Sequence, residues 1–181
     1  MDNHSVSAIK HTLLTRLLHH GSAVLIVLLW VLVEFREELG MVGIKAMSLH
    51  KSFGVMFLLW VIARIINALL RPKIAIVPAP KWQTALAHLT HAGLYVCMLA
   101  MPICGILLLQ YDGYPVSFFG FELPMFVAPD SRLVHTFEEL HTDIVFSVLI
   151  ALVVAHIAAA IYHQVVSVSY THLTLPTSDL V

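Results

Sequence analysis

Four stretches of the chain are apolar for long enough to cross a bilayer, and polar residues are confined largely to the segments between them. The first runs from Leu17 to Val33, bounded by Arg16 and Glu34. The second starts at Ser52, after Lys51, and continues to Leu70, interrupted by Arg64 and Asn67. The third lies within Trp82 to Tyr111, a stretch with no Asp, Glu, Lys or Arg, and the fourth runs from Ile144 to about Val166. A helix needs about 20 predominantly apolar residues to span the hydrocarbon core. Lipid offers the backbone no hydrogen bonds, so each such segment has to be helical. The pattern predicts an all-α membrane protein, a bundle of four transmembrane helices. Pro102 falls inside the third span, where neighbours must satisfy the carbonyl it frees.

The connecting segments read differently. Residues 71–81 (RPKIAIVPAPK) hold three prolines and are expected to be extended. Asp112 to Arg132 contains Gly113, Pro115, Gly120, Pro124 and Pro129, too many turn formers for a span, and is expected to fold over the outer mouth. Composition agrees with a membrane chain: 59% of the residues are hydrophobic and 12% charged, against about 25% charged in soluble domains. The first apolar run follows Lys10 and Arg16 without a small-residue cleavage site, so it is expected to remain as a span.

Lys and Arg distribution orients the bundle. Lys10, Arg16, Arg64, Arg71, Lys73 and Lys81 lie on one side, and Arg36, Lys45, Lys51 and Arg132 on the other. The positive-inside rule puts the first side, with both termini, in the cytoplasm of a bacterial inner membrane. The last fourteen residues, VSYTHLTLPTSDLV, carry no Lys or Arg and resemble translated sequencing-adapter read-through. Residues 1–166 are therefore read as the transmembrane domain and 167–181 as a non-native tail, with His172 left out of the functional argument.

Twelve histidines against ten Lys plus Arg change the picture further. A single histidine in a bilayer is as readily an interfacial residue or an interhelical hydrogen bond as a ligand, but an ionisable side chain there commonly marks a cofactor, ion path or relay. Layering decides between them. His50 opens the second span and His141 the fourth, both on the outer side. His19 and His156 lie on the inner side. His141 and His156 are fifteen residues apart, about 22 Å along a helix and about 60° around it, a mismatch that tilt or a local bulge absorbs. Two layers of paired histidines suit two stacked haems, because haem iron accepts two axial imidazoles from facing helices. In the outer layer only His135 rivals His50 and His141, and it is expected in a loop. The inner layer is crowded with His19, His20, His88, His91, His156 and His163. His20 is turned about 100° from His19, so one of the two faces the bundle. Gly54 and Gly105 leave room for a porphyrin or another helix. Cys97 and Cys104, seven residues apart, are about 10 Å apart along a helix, too far for a disulfide. No CxxCH motif provides for covalent haem.

The motifs LHH at 18–20, VEFR at 33–36, LHKSFG at 49–54, AHLTHAGLY at 87–95, GYPVSFFG at 113–120, ELHTD at 139–143 and AHIAAAIYH at 155–163 resemble the prokaryotic cytochrome b561 family up to about Val166. His20 stands where that family often has tryptophan, and the His141–His156 spacing is one residue longer than usual. The resemblance implies two haem b groups, with His19 and His156 as axial ligands of the inner iron and His50 and His141 of the outer. It also implies electron exchange with quinone at one face, with ubiquinone as substrate or bound cofactor, and with a one-electron partner at the other, either superoxide or a redox protein. One member type oxidises superoxide and passes the electrons to ubiquinone. An enzyme of this kind would be a superoxide:quinone oxidoreductase. His91 and His163, left over on the inner side, are the candidates for contacting quinone, with His88 next. Arg16 and Arg64 are candidates for holding haem propionates, with inside anchoring as the alternative. Lys51 and Arg132 could guide an anion at an outer face that is otherwise acidic. Two other readings stay open: the membrane subunit of a larger oxidoreductase, and a non-redox protein that binds zinc or moves protons. Membrane lipid is an expected contact and nucleic acid is not.

Overall fold

The computed structural model describes residues 12–71 and 80–171, with side chains as far as Val165. Lys10, Lys73, most of the proline-rich linker and His172 lie outside the described residues. Helix α1 spans Leu13–Glu34, a short α2 spans Arg36–Met41, α3 spans Ala46–Leu70 and α4 spans Lys81–Tyr111. A two-stranded hairpin follows, β1 at Ser117–Phe118 and β2 at Phe121–Glu122. The last span begins with α5 at Ser131–Glu139, passes through a π-helical turn at Leu140–Ile144, and continues as α6 over Val145–Thr171. Four of these units are long and apolar enough to cross a bilayer, so the chain is a multi-pass membrane protein.

Helix boundaries depart from the apolar runs in two places. Helix α3 starts at Ala46, so His50 sits a turn inside it. The final helix starts at Ser131, where Asp130 accepts a hydrogen bond from the Arg132 N–H (2.9 Å) as its N-cap. Glu138, Glu139 and Asp143 conceal this start from a hydropathy reading because charged residues are compatible with a helix that projects into water. His135, expected in a loop, is therefore helical, and it is exposed.

Helix α1 packs on α3, α3 on α4, and α4 on α6. Among the described residues α6 brings no Cα within 8 Å of α1 or of α3. The bundle thus consists of two helix pairs joined along α3–α4 and parted by a gap on the other side. The core lies at mid-depth, where Leu25, Phe57, Val61, Leu94, Cys97, Met98 and Leu149 pack together. Both cysteines are buried and unpaired, and Pro102 is accommodated within a continuous α4. Many large side chains on the outer surfaces of the helices, Leu59, Leu69, Leu89 and Ile161 among them, are exposed, as a lipid-facing surface requires.

The turn-rich outer segment folds back on the bundle. Phe119 and Gly120 both have positive φ, 47° and 94°, and close β1 onto β2 as a two-residue turn. Buried Ser52 on α3 holds it, accepting from the Phe119 N–H (2.9 Å) and donating to the Ser117 carbonyl (3.3 Å). Fully buried Gln110 on α4 accepts from the Phe126 N–H and donates to the Pro124 carbonyl, both at 3.0 Å. The cap is thereby fixed next to His50.

Candidate functional site

The outer histidines meet across the gap. His50 on α3 and His141 in the π-turn have ring centres 6.2 Å apart with planes crossing at 85°. A π-turn takes one more residue than an α-helical turn, so it absorbs the surplus residue between His141 and His156. Each ring is held from behind. His50 Nδ1 donates to the Leu29 carbonyl of α1 (3.1 Å), and His141 Nδ1 donates to the Met101 carbonyl of α4 (2.8 Å). A carbonyl only accepts, so Nδ1 carries the proton in both rings and Nε2 keeps its lone pair free.

Between the helix pairs lies a cavity of about 260 Å³ whose walls include both histidines, Leu29, Phe57, Phe146 and Pro102, with Glu34 and Thr142 among its few polar members. Gly54 also lines it, and a Cβ added there meets nothing within 4 Å. Gly105 has a different role: an added Cβ would lie 2.9 Å from His141 Cε1 and 3.2 Å from its Nδ1. The missing side chain lets the imidazole lie against α4 and reach Met101.

On the inner side His19 of α1 and His156 of α6 also stand 6.2 Å apart, with planes at 65°. His91 of α4 approaches the same His156 ring to 5.3 Å, and His20 lies 5.4 Å from His19. Arg64 of α3 enters this cluster, its guanidinium 2.9 Å from His19 Nδ1 and 5.2 Å from the Tyr95 ring centre. His163 is exposed and stacks edge-on against Tyr162 at 5.6 Å, and His88 is exposed. Arg16 and Arg132 are exposed and Lys51 is half-buried.

Two imidazoles bound to opposite sides of one metal through bonds of about 2 Å have ring centres about 6 Å apart. Both the outer and the inner pair have this separation, and the outer pair also has free Nε2 lone pairs, an apolar cavity and a glycine wall. The outer residues fit an iron porphyrin; at the inner pair the Arg64 guanidinium donates to His19 Nδ1, a contact that has to open before Nε2 of that ring can hold a metal.

Comparison with known proteins agrees. Residues 10–171 match the family model described as prokaryotic cytochrome b561. The chain belongs to the prokaryotic cytochrome b561 family. Members of this family bind haem b and transfer electrons in membranes. Cytochrome b561 homolog 1 of Escherichia coli (strain K12) is 35% identical over 98 residues, 54% of this chain and 55% of that protein. Cytochrome b561 homolog 2 of the same strain is 31% identical over 122 residues, 66% and 64% of the two chains. These matches thus cover between about half and two thirds of those relatives' lengths. A protein named probable superoxide oxidase CybB, from Yersinia pestis, is 27% identical over 164 residues, 86% of this chain and 90% of that protein.

Several features of this b561-family site have no sequence signal. The Leu29 and Met101 carbonyls are backbone atoms, and nothing in the residue pattern marks them. The Arg64–His19 contact joins α1 to α3 across 45 positions. Gly105 was visible only as a small residue, not as the one under His141. Filling that place should be felt at once. Gly105→Leu is expected to displace the His141 ring and destabilise the protein by about 1–3 kcal/mol, the cost of overpacking. Haem content, read by pyridine haemochrome, should fall, whereas Gly40→Leu, which meets nothing within 4 Å, should leave it unchanged.

Proposed function

We propose that this protein is a di-haem b cytochrome that carries single electrons between a partner at the outer face and quinone at the inner face. One observation carries the reading: two histidine pairs, each at 6.2 Å, reach toward each other from helices whose backbones do not touch. His50 and His141 are the axial ligands of the outer haem, and His19 and His156 those of the inner. Bound haem b supplies a one-electron Fe(III)/Fe(II) couple. Filling both axial positions leaves no open coordination site, which suits electron transfer rather than oxygen binding. The Nδ1 hydrogen bonds to Leu29 and Met101 hold the outer imidazoles in the ligating tautomer and orientation.

Quinone reduction consumes protons, and a histidine ring exchanges them near neutral pH. His91, on the inner side beside His156, and His163, two turns beyond His156, are the residues assigned to this task. The Lys and Arg bias supports a bacterial inner-membrane location with both termini in the cytoplasm. Superoxide as the outer electron donor is a second reading, favoured by the likeness to the probable superoxide oxidase over most of both chains. The acids at the outer end, Glu34, Glu37, Glu38, Glu138, Glu139 and Asp143, repel an anion and weigh toward a cationic or neutral redox partner.

Purified protein should hold about two haems per chain, and His50→Ala or His141→Ala should each remove one. Full haem content in both variants would overturn the outer ligation. His91→Ala and His163→Ala should keep both haems but slow quinol-driven reduction in liposomes by tenfold or more, the scale of a lost acid–base group, with dithionite reduction unchanged. Loss of a haem signal in His91→Ala would instead make that residue the partner of His156. For topology, alkaline phosphatase fused after Tyr162 should be inactive, and high activity would reverse the orientation.

A further inference from the structure

The cavity around His50 and His141 is closed toward the core and open on one flank. Its core-side walls are buried: Phe57 is 2% exposed, Leu149 is 4% exposed, and Pro102 is buried beside them. Next to His50 the outer end is capped by the β1–β2 hairpin, tied to α3 through Ser52, and by the segment after it, tied to α4 through Gln110. Toward α1 and α6 the walls are different. Trp30 of α1 and Ile150 of α6 line the same cavity, yet they are 46% and 38% exposed. Helices α1 and α6 do not touch each other among the described residues. The open flank therefore faces sideways, between two spans, into the hydrocarbon of the outer leaflet.

A porphyrin is a flat apolar disc with its propionate carboxylates on one edge. The disc is at home in lipid, whereas the carboxylates stay at the polar boundary, because a charge within the hydrocarbon is costly. The cavity is divided in the same way. Its polar members besides the two histidines, Glu34 and Thr142, lie at its outer end, and apolar side chains line the remainder. Trp30 sits one turn below Glu34, edge-on to Phe35 with ring centres 6.4 Å apart, at the level where amphipathic rings collect in membranes. A disc sliding edge-on between α1 and α6 keeps its carboxylates at the polar end throughout. Passage through the outer end would instead break the four hydrogen bonds that Ser52 and Gln110 make to the cap, and passage from below would part the mid-depth core.

We propose that the opening between α1 and α6 is the port through which haem passes from the outer leaflet into the outer site, with Trp30 and Ile150 as its posts. Once the disc is inside, the Nε2 lone pairs of His50 and His141 supply both electrons of each bond to iron and take the place of water on it. No proton leaves, because Nδ1 already carries it. The port rests on the bis-histidine reading of the outer pair alone.

The test uses the full chain, expressed under haem limitation and reconstituted in liposomes. Uptake of haemin dissolved in the same membranes is followed by the Soret band, and release by transfer to apomyoglobin. The phase belonging to the outer site is the one missing from His50→Ala. Ile150→Trp, which narrows the port, should slow uptake and release alike several-fold, and Trp30→Ala, which widens it, should speed both. A port changes the height of a barrier, so the ratio of the two rates and the final haem content stay in place. Leu59→Trp, at an exposed position of α3 outside the cavity lining, should change neither rate, and nor should Ser52→Ala, which loosens the cap. Unchanged uptake in both port variants, release changing alone, or uptake quickened by Ser52→Ala would overturn the port while bound haem still upheld the ligation. A parent that takes up no haem would defeat ligation and port together.

Discussion

Two imidazoles that share one metal atom cannot bring their ring centres much closer than about 6 Å, and the bundle is arranged around a gap of that width. Helices α1 and α3 form one wall, α4 and α6 the other, and their contact is concentrated on the α3–α4 seam. A bundle of apolar helices in lipid gains little from association through apolar surface alone. Side chains reaching across the gap at two depths, His50 to His141 and His19 to His156, give the two walls a reason for their spacing. The mid-depth core of Leu25, Phe57, Val61, Leu94 and Leu149 separates the two layers and keeps each in its own compartment.

The outer layer is the more completely built. Its rings are fixed by main-chain carbonyls, one of them has a place cleared by Gly105, and the hairpin tied to Ser52 and Gln110 covers the end of the bundle beside it. The π-turn belongs to the same arrangement, because it lets His141 face the gap while α6 continues inward to His156. The inner layer is more open and more polar. Three rings, those of His19, His91 and His156, converge there with Arg64.

Much of this was legible in the residues and some was not. The four spans stood out because lipid demands long apolar runs, and His50 with His141 because few other histidines share their depth. The rotational mismatch between His141 and His156 left tilt and a local bulge as alternatives, and the π-turn at Leu140–Ile144 is the bulge. The start of the last helix, from Ser131 to Asp143, was hidden by Glu138, Glu139 and Asp143, since hydropathy measures contact with lipid rather than helicity. The inner layer could not be ranked from spacing, because six histidines within a few turns differ only in rotation about helices whose mutual orientation comes from packing. The carbonyl partners were invisible for a simpler reason: every residue has one.

The central claim is that one iron lies between each facing pair of histidines, held by rings that cross steeply, at 85° outside and 65° inside. Low-temperature electron paramagnetic resonance of the oxidised protein tests it directly. Steeply crossed axial imidazoles produce a highly anisotropic low-spin ferric signal, and two such signals of equal weight are the expected result. A high-spin ferric spectrum, or a rhombic low-spin spectrum of the kind that parallel imidazole planes give, would contradict it.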